Sequence, residues 1–144
     1  MFSLEKDLSD MEILALTIYG ESRGESIEGQ IAVGCVIRNR AIAGSFYKDI
    51  CLAPNQFSCW NIGDPNYEIL NELAQKLFDG DTQDNPVLMQ DMWVAEGIMN
   101  HELIDVTNGA KNYLTNDLYK SAHAPAWAHQ LKVSKVIGNQ TFLV

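Results

Sequence analysis

Apolar positions recur at helical spacing through the first two thirds of the chain and alternate only near its end. Ser9-Asp10-Met11-Glu12 has the form of a capping box, with Ser9 as N-cap and Glu12 reaching back to it, so a helix is expected from there to about Tyr19. Gly20 and Gly24 weaken that helix, and the chain is expected to turn between them. A second helix starts at Glu25 or Ser26. Its interior, Gln30 to Ile37, is rich in small and apolar residues, and Ala32 and Gly34 would let another element approach closely. It reads as the central buried helix, closed by Gly44. Asp64-Pro65 is a helix start, with Asp as N-cap and Pro at the first helical position. That helix carries Ile69, Leu70, Leu73, Leu77 and Phe78 and stops at Gly80. After a polar turn over 81–86, a further helix runs from about Val87 to Asn100, with Leu88, Met92, Ala95 and Met99 on one stripe. Late in the chain the spacing changes. Val106 to Leu114 reads as a turn into a short strand, and Ser121 to His129 as loop. Lys132 to Ile137 alternates in part, Gly138-Asn139 is a hairpin turn signal, and Thr141 to Val144 returns as the partner strand. The fold class is therefore α+β, mainly helical with a small C-terminal antiparallel β ribbon. No repeat or linker divides residues 1–144, which are expected to form one domain.

One position breaks the first helix pattern. Leu14, Thr17, Ile18 and Glu21 share a face, so Glu21 falls where a hydrophobe belongs. A carboxylate that loses water there has its pKa raised and can serve as a general acid near neutral pH. The alternative is that Glu21 caps the next segment or pairs with Arg23. Residues 45–64 lack periodicity but hold Phe46, Tyr47, Phe57 and Trp60 among Asn55, Gln56, Ser58 and Asn61. Aromatic faces interleaved with amides are what sugar rings bind. On this basis Gln56, Phe57 and Trp60 point to binding, and Phe46 and Tyr47 to packing. Arg40 reads as a solvated helix end that complements the macrodipole, and Asn39 as a candidate buried tether.

Composition narrows the chemistry. The 144 residues suffice for one domain with a core, and 47% hydrophobic with 20% charged content places the chain among globular proteins. A net charge of −9 argues against nucleic acid and against an anionic membrane surface as partners. No apolar run is long enough to span a bilayer, and the first residues show no signal-peptide pattern. Cys35, Cys51 and Cys59 are odd in number and contain no C-x-x-C, so neither a disulfide framework nor a zinc site is expected, although a Cys51–Cys59 bridge stays open. His101, His123 and His129 do not have metal-ligand spacing. There is no H-E-x-x-H, phosphate loop or G-x-S-x-G. A Cys–His nucleophile pair stays open. No metal and no cofactor are expected.

Tyr19-Gly20-Glu21-Ser22-Arg23-Gly24-Glu25, then Glu28 to Gly34 and Asn39-Arg40, resemble the opening signature of the spore cortex-lytic cell wall hydrolases of the SleB/CwlJ type. Gln56 to Trp60 resembles that family's second block. Gly109 to Tyr113, Pro125, Trp127 and Ile137 to Phe142 resemble its closing blocks. The family often has histidine where Leu114 and Gln140 stand. The resemblance implies a lysozyme-like fold and cleavage of peptidoglycan between N-acetylmuramic acid and N-acetylglucosamine as a lytic transglycosylase, with Glu21 as catalytic acid/base. Gln56, Phe57, Ser58 and Trp60 would line one wall of the cleft, and Asn112, Tyr113 and Trp127 the other. Glu25 is the obvious second carboxylate but reads as a cap or an Arg23 partner, with Glu28 and Asp64 as weaker candidates. An N-acetylmuramoyl-L-alanine amidase and a non-catalytic peptidoglycan-binding module are the rival readings. A monomer acting on glycan strands is expected. Synthesis in the cytoplasm and release to the bacterial cell wall, as for a phage lysin or a particle-carried enzyme, would suit the missing leader pattern.

Overall fold

The computed structural model describes residues 2–42, 44–82 and 84–144. Gln83, within the polar turn expected over 81–86, lies outside them. After a short α1 (Leu4–Asp7), helix α2 (Asp10–Ser22) begins with the expected capping box: Ser9 Oγ accepts from Glu12 N at 3.1 Å, and Ser9 N donates to Glu12 Oε1 at 2.9 Å. The helix does not stop at Tyr19. It continues through Gly20 to Ser22, because Gly20 serves packing and not a turn. A Cβ there would lie 2.7 Å from Leu70 Cδ1 and 2.8 Å from Cys59 Cβ. The missing side chain lets two later segments close against α2. The turn comes at 23–26, and Ser26 caps α3 (Ile27–Arg40). Gly34 plays the expected role of close approach, since a Cβ there would meet Ile98 at 2.9 Å.

Residues 45–64 are more ordered than their pattern suggested. They hold α4 (Tyr47–Leu52) and a 3-10 turn at Ser58–Trp60. Helices α5 (Pro65–Asp79) and α6 (Pro86–Met99) follow. The buried face of α6 runs through Leu88, Asp91, Val94, Ala95 and Ile98, about one residue round from the expected stripe, so Met92 and Met99 are only half-buried and an aspartate points inward. Strand β1 (Asn112–Thr115) leads into α7 (Asn116–Lys120) and α8 (Ala126–Gln130), which replaces part of the expected loop. Strands β2 (Val133–Ile137) and β3 (Gln140–Leu143) form the expected hairpin, turning at Gly138 with φ +56°. The sheet is antiparallel in the order β1-β3-β2, with Tyr113 opposite Phe142 and Val136 opposite Thr141. All four residues of the central β3 are buried.

The main core packs α2, α3 and α6 around Ile13, Leu14, Leu16, Ile18, Val33, Ile37 and Ile98. The sheet joins it through Ala32, Val36, Ala110, Ile137 and Phe142. Polar ties fix the seam. Asn39 is the expected tether: its Nδ2 donates to Asp105 Oδ2 and to Ala110 O, both at 2.9 Å. Burial works against the Asp105 carboxylate. Hydrogen bonds from the Thr107 hydroxyl, the Asn39 amide and the Thr107 and Gly109 backbone N–H groups outweigh that cost and hold its pKa below the ordinary range. At the end of α3, one terminal nitrogen of Arg38 donates to Ile98 O at 3.2 Å and Leu103 O at 2.8 Å. These bonds fix the segment that delivers β1.

Candidate active site

Glu21 sits in the last turn of α2, half-buried, and lines a cleft of about 360 Å³. Both its oxygens are engaged. Oε1 accepts from the Tyr113 hydroxyl at 2.6 Å, across 92 positions of sequence. Oε2 accepts from the Cys59 backbone N–H at 3.1 Å and from Ser58 Oγ at 3.5 Å. Burial, and after it the Glu21 carboxylate, raise the Tyr113 phenol well above its usual pKa, so it stays protonated and donates. Two structural features therefore place one carboxylate: the 3-10 turn after α4 and the first strand of the sheet. A phenol and a backbone amide hold the group without neutralising it, and both are anchored to regular structure.

The cleft is lined by Glu21, Arg40, Asn55, Gln56, Phe57, Ser58, Asn112, Tyr113 and Trp127. Glu21 is the sole carboxylate in that set. Trp127 stands on α8, 41% exposed, where a ring face can meet a ligand. Asn55, Gln56 and Ser58 are exposed on the facing side, and Asn112 is half-buried beside Tyr113. The set is amide-rich and aromatic-edged, which suits a neutral polyhydroxylated ligand.

A family model described as cell wall hydrolase matches residues 24–143. The chain belongs to that family. Among relatives, a spore cortex-lytic enzyme of Bacillus cereus is 38% identical over 71 residues, 47% of this chain and 27% of that protein. One from Bacillus subtilis is 53% identical over 32 residues, 22% of this chain and 10% of that protein. The aligned stretches thus cover about a quarter or less of the curated relatives' length. Among solved structures, the catalytic domain of the germination-specific lytic transglycosylase SleB from Bacillus anthracis superposes with a TM-score of 0.62 at 23% identity, covering 99% of this chain and 97% of that one. The catalytic domain of the Bacillus cereus SleB protein gives 0.59 at 24% identity, covering 100% and 93%. The lysozyme-like α+β fold expected from the sequence is the fold found.

Within this cell wall hydrolase, six of the expected binding residues meet Glu21 in one cleft: Gln56, Phe57, Ser58, Asn112, Tyr113 and Trp127. Phe57 is only 2% exposed and forms the floor, not a stacking face. Trp60 is not in the cleft. Its ring packs on the core, and Nε1 donates to Thr17 Oγ1 at 2.9 Å, which locks the 3-10 turn onto α2. Its role is structural because its polar edge already has a buried partner. Arg40 is not the solvated helix end its position suggests: it is half-buried in the cleft wall, and burial lowers its pKa. Glu25 neither caps nor pairs with Arg23. Its carboxylate grips the hairpin turn through Asn139 N at 3.1 Å and Asn139 Nδ2 at 3.2 Å. Arg23 lies instead over the Tyr19 ring, 5.1 Å from its centroid. Asp64 caps α5 and Glu28 is exposed outside the cleft. All three cysteines are free and buried. Burial raises the thiol of each, that of Cys51 to about 12. Among the described residues no thiol and no histidine lines the cleft, so the Cys–His pair left open by the sequence finds no place among them. Leu114 and Gln140, where the family often has histidine, are buried in the sheet.

Proposed function

We propose that this cell wall hydrolase cuts the glycan strand of peptidoglycan between N-acetylmuramic acid and N-acetylglucosamine as a lytic transglycosylase, with Glu21 as its catalytic acid and base. The observation that carries the reading is a single clamped carboxylate in an amide-lined cleft. An ordinary glycosidase needs a second carboxylate, as nucleophile or as base for water. A muramyl residue brings its own nucleophile, the C6 hydroxyl. Glu21 in its acid form gives a proton to the glycosidic oxygen as the C1–O bond breaks. The resulting carboxylate takes the proton of the C6 hydroxyl as that oxygen bonds to C1. A 1,6-anhydromuramyl end and a free N-acetylglucosamine hydroxyl result, and Glu21 returns to its starting state. Tyr113 and the Cys59 N–H hold the carboxylate in place while it changes protonation. Gln56, Asn112 and Trp127 position the sugars, and the protein works as a monomer. Acid–base help of this kind is typically worth roughly 10²–10⁴-fold.

Mass spectrometry of products from purified peptidoglycan tests the reading, with the wild type and Glu21→Gln compared. Anhydro-muropeptides from the wild type and a loss of at least about a hundredfold in the variant are expected. Reducing-end muropeptides would mean water is the nucleophile. Free stem peptides would mean an amidase. Binding without any product from either protein would mean a wall-binding module.

A further inference from the structure

Among the described residues that line the cleft, Arg40 is the sole cation, in a protein with net charge −9. Its guanidinium is held from two sides. Nε donates to Lys111 O at 2.7 Å, and Cζ lies 5.1 Å from the centroid of the Phe57 ring. The two terminal nitrogens make no hydrogen bond to protein among the described residues. The side chain is therefore oriented, partly stripped of water and left with unused donors at the cleft wall. A planar fork prepared this way matches the two oxygens of a carboxylate bidentately, which no hydroxyl or acetamido group of a sugar ring can offer. The remaining lining side chains, apart from Glu21, are neutral and can serve either sugar of an alternating strand.

The two sugars differ at one place. Both carry an acetamido group, but only muramic acid carries a 3-O-lactyl group, which ends in an amide carbonyl under a stem peptide and in a carboxylate on a bare strand. We propose that Arg40 is a specificity-determining residue that receives this lactyl group and thereby sets which sugar occupies the site beside Glu21. The proposal rests on the peptidoglycan reading above. It gives the cation a task that a chitin-like polymer would leave undone, because a strand of N-acetylglucosamine alone offers no such group.

The test uses Glu21→Gln as the background, so that bound glycan stays intact. Affinities are measured for peptide-free peptidoglycan strands and for a chito-oligosaccharide of equal length, with and without Arg40→Gln. Adding Arg40→Gln is expected to weaken muramyl-strand binding about 10–100-fold, the usual worth of a hydrogen-bonded charge, and to change chito-oligosaccharide binding by less than about threefold. Equal losses on both ligands would overturn the proposal and leave Arg40 as a strut for the loop at Lys111. Unchanged preference for muramyl strands would also overturn it. Failure of the Glu21→Gln protein to bind either glycan would instead overturn the reading beneath it. Arg40→Lys guards against misfolding of the glutamine variant. It keeps the charge but not the fork, so it should lose part of the muramyl preference, and full retention would count against the proposal.

Discussion

Helices α2 and α6 pack against each other, and each carries a carboxylate away from bulk water, but the two ends of this contact are built on opposite terms. On α2, Glu21 is half-buried, and both oxygens accept hydrogen bonds from groups that arrive from elsewhere in the chain. On α6, Asp91 is 0% exposed, and neither oxygen has a partner among the described residues. Burial alone pushes the Asp91 pKa up to about 7. Burial of a carboxylate does not by itself mark a site. What distinguishes Glu21 is the supply of directed donors together with an opening to a ligand. Asp91 is a cost borne inside the core and should show itself in stability, where the role proposed for Glu21 predicts an effect on rate.

The largest effect should come from removing that cost. An acid whose folded pKa lies above its unfolded one contributes stability that is fully present below the unfolded value and is lost as pH rises through the folded value. For Asp91 the window runs from its ordinary 3.8 to about 7. At about 1.4 kcal/mol per tenfold the loss is on the order of 4 kcal/mol. Asp91→Asn should flatten this slope. Urea unfolding at about pH 8 should find the variant more stable than wild type, with the gain gone near pH 4, and glycan cleavage at neutral pH should be kept. A parallel pH dependence in both proteins would erase the contrast with Glu21. Next in size is Tyr113→Phe, which strips Oε1 of its donor and makes Glu21 more like Asp91. Loss of a hydrogen bond to a charged group, about 1.5–3 kcal/mol, should appear as a drop of 10–100-fold in kcat with KM little changed. A change in KM alone would mean that the phenol serves the substrate and not the carboxylate. Smallest is Gly20→Ala. The added methyl meets Leu70 and the Cys59 side chain, so the 3-10 turn must shift away from α2. Overpacking of this kind costs about 1–3 kcal/mol. Thermal melting should register it, and activity below the melt should fall because the Cys59 N–H moves from Oε2.

Much of this arrangement is written in local pattern. The capping box at Ser9, the Asp64-Pro65 start and the Gly138 turn each depend on residues within a few positions of one another, and all three stand as the sequence implies. Glu21 is legible for the same reason, as a charge on an apolar stripe. The reading fails where a residue's partner is remote. Gly20 looks like a helix breaker until Cys59 and Leu70 are seen against it. Glu25 finds Asn139 across 114 positions, and Arg40 finds Lys111 across 71, so neither contact leaves a trace in spacing. Trp60 belongs to an aromatic, amide-rich stretch of the type that binds sugars. Only the buried Thr17 hydroxyl shows that its indole nitrogen is already occupied. Asp91 leaves no sign in the pattern, because a one-residue rotation of α6 separates an outward aspartate from an inward one.

The bond from Tyr113 to Glu21 also has a consequence in time. Its ends lie 92 positions apart, and β1 gains its sheet only when β3 is made, so the reactive constellation is among the last things the chain completes. Contacts of such separation close slowly, after local helices have formed. A chain still emerging from the ribosome can hold a folded α2 and an exposed Glu21 and yet lack the phenol that steadies it. The clamp on Glu21 would thus be completed only once the C-terminal hairpin is in place, so the order of folding sets when the cleft reaches its final form.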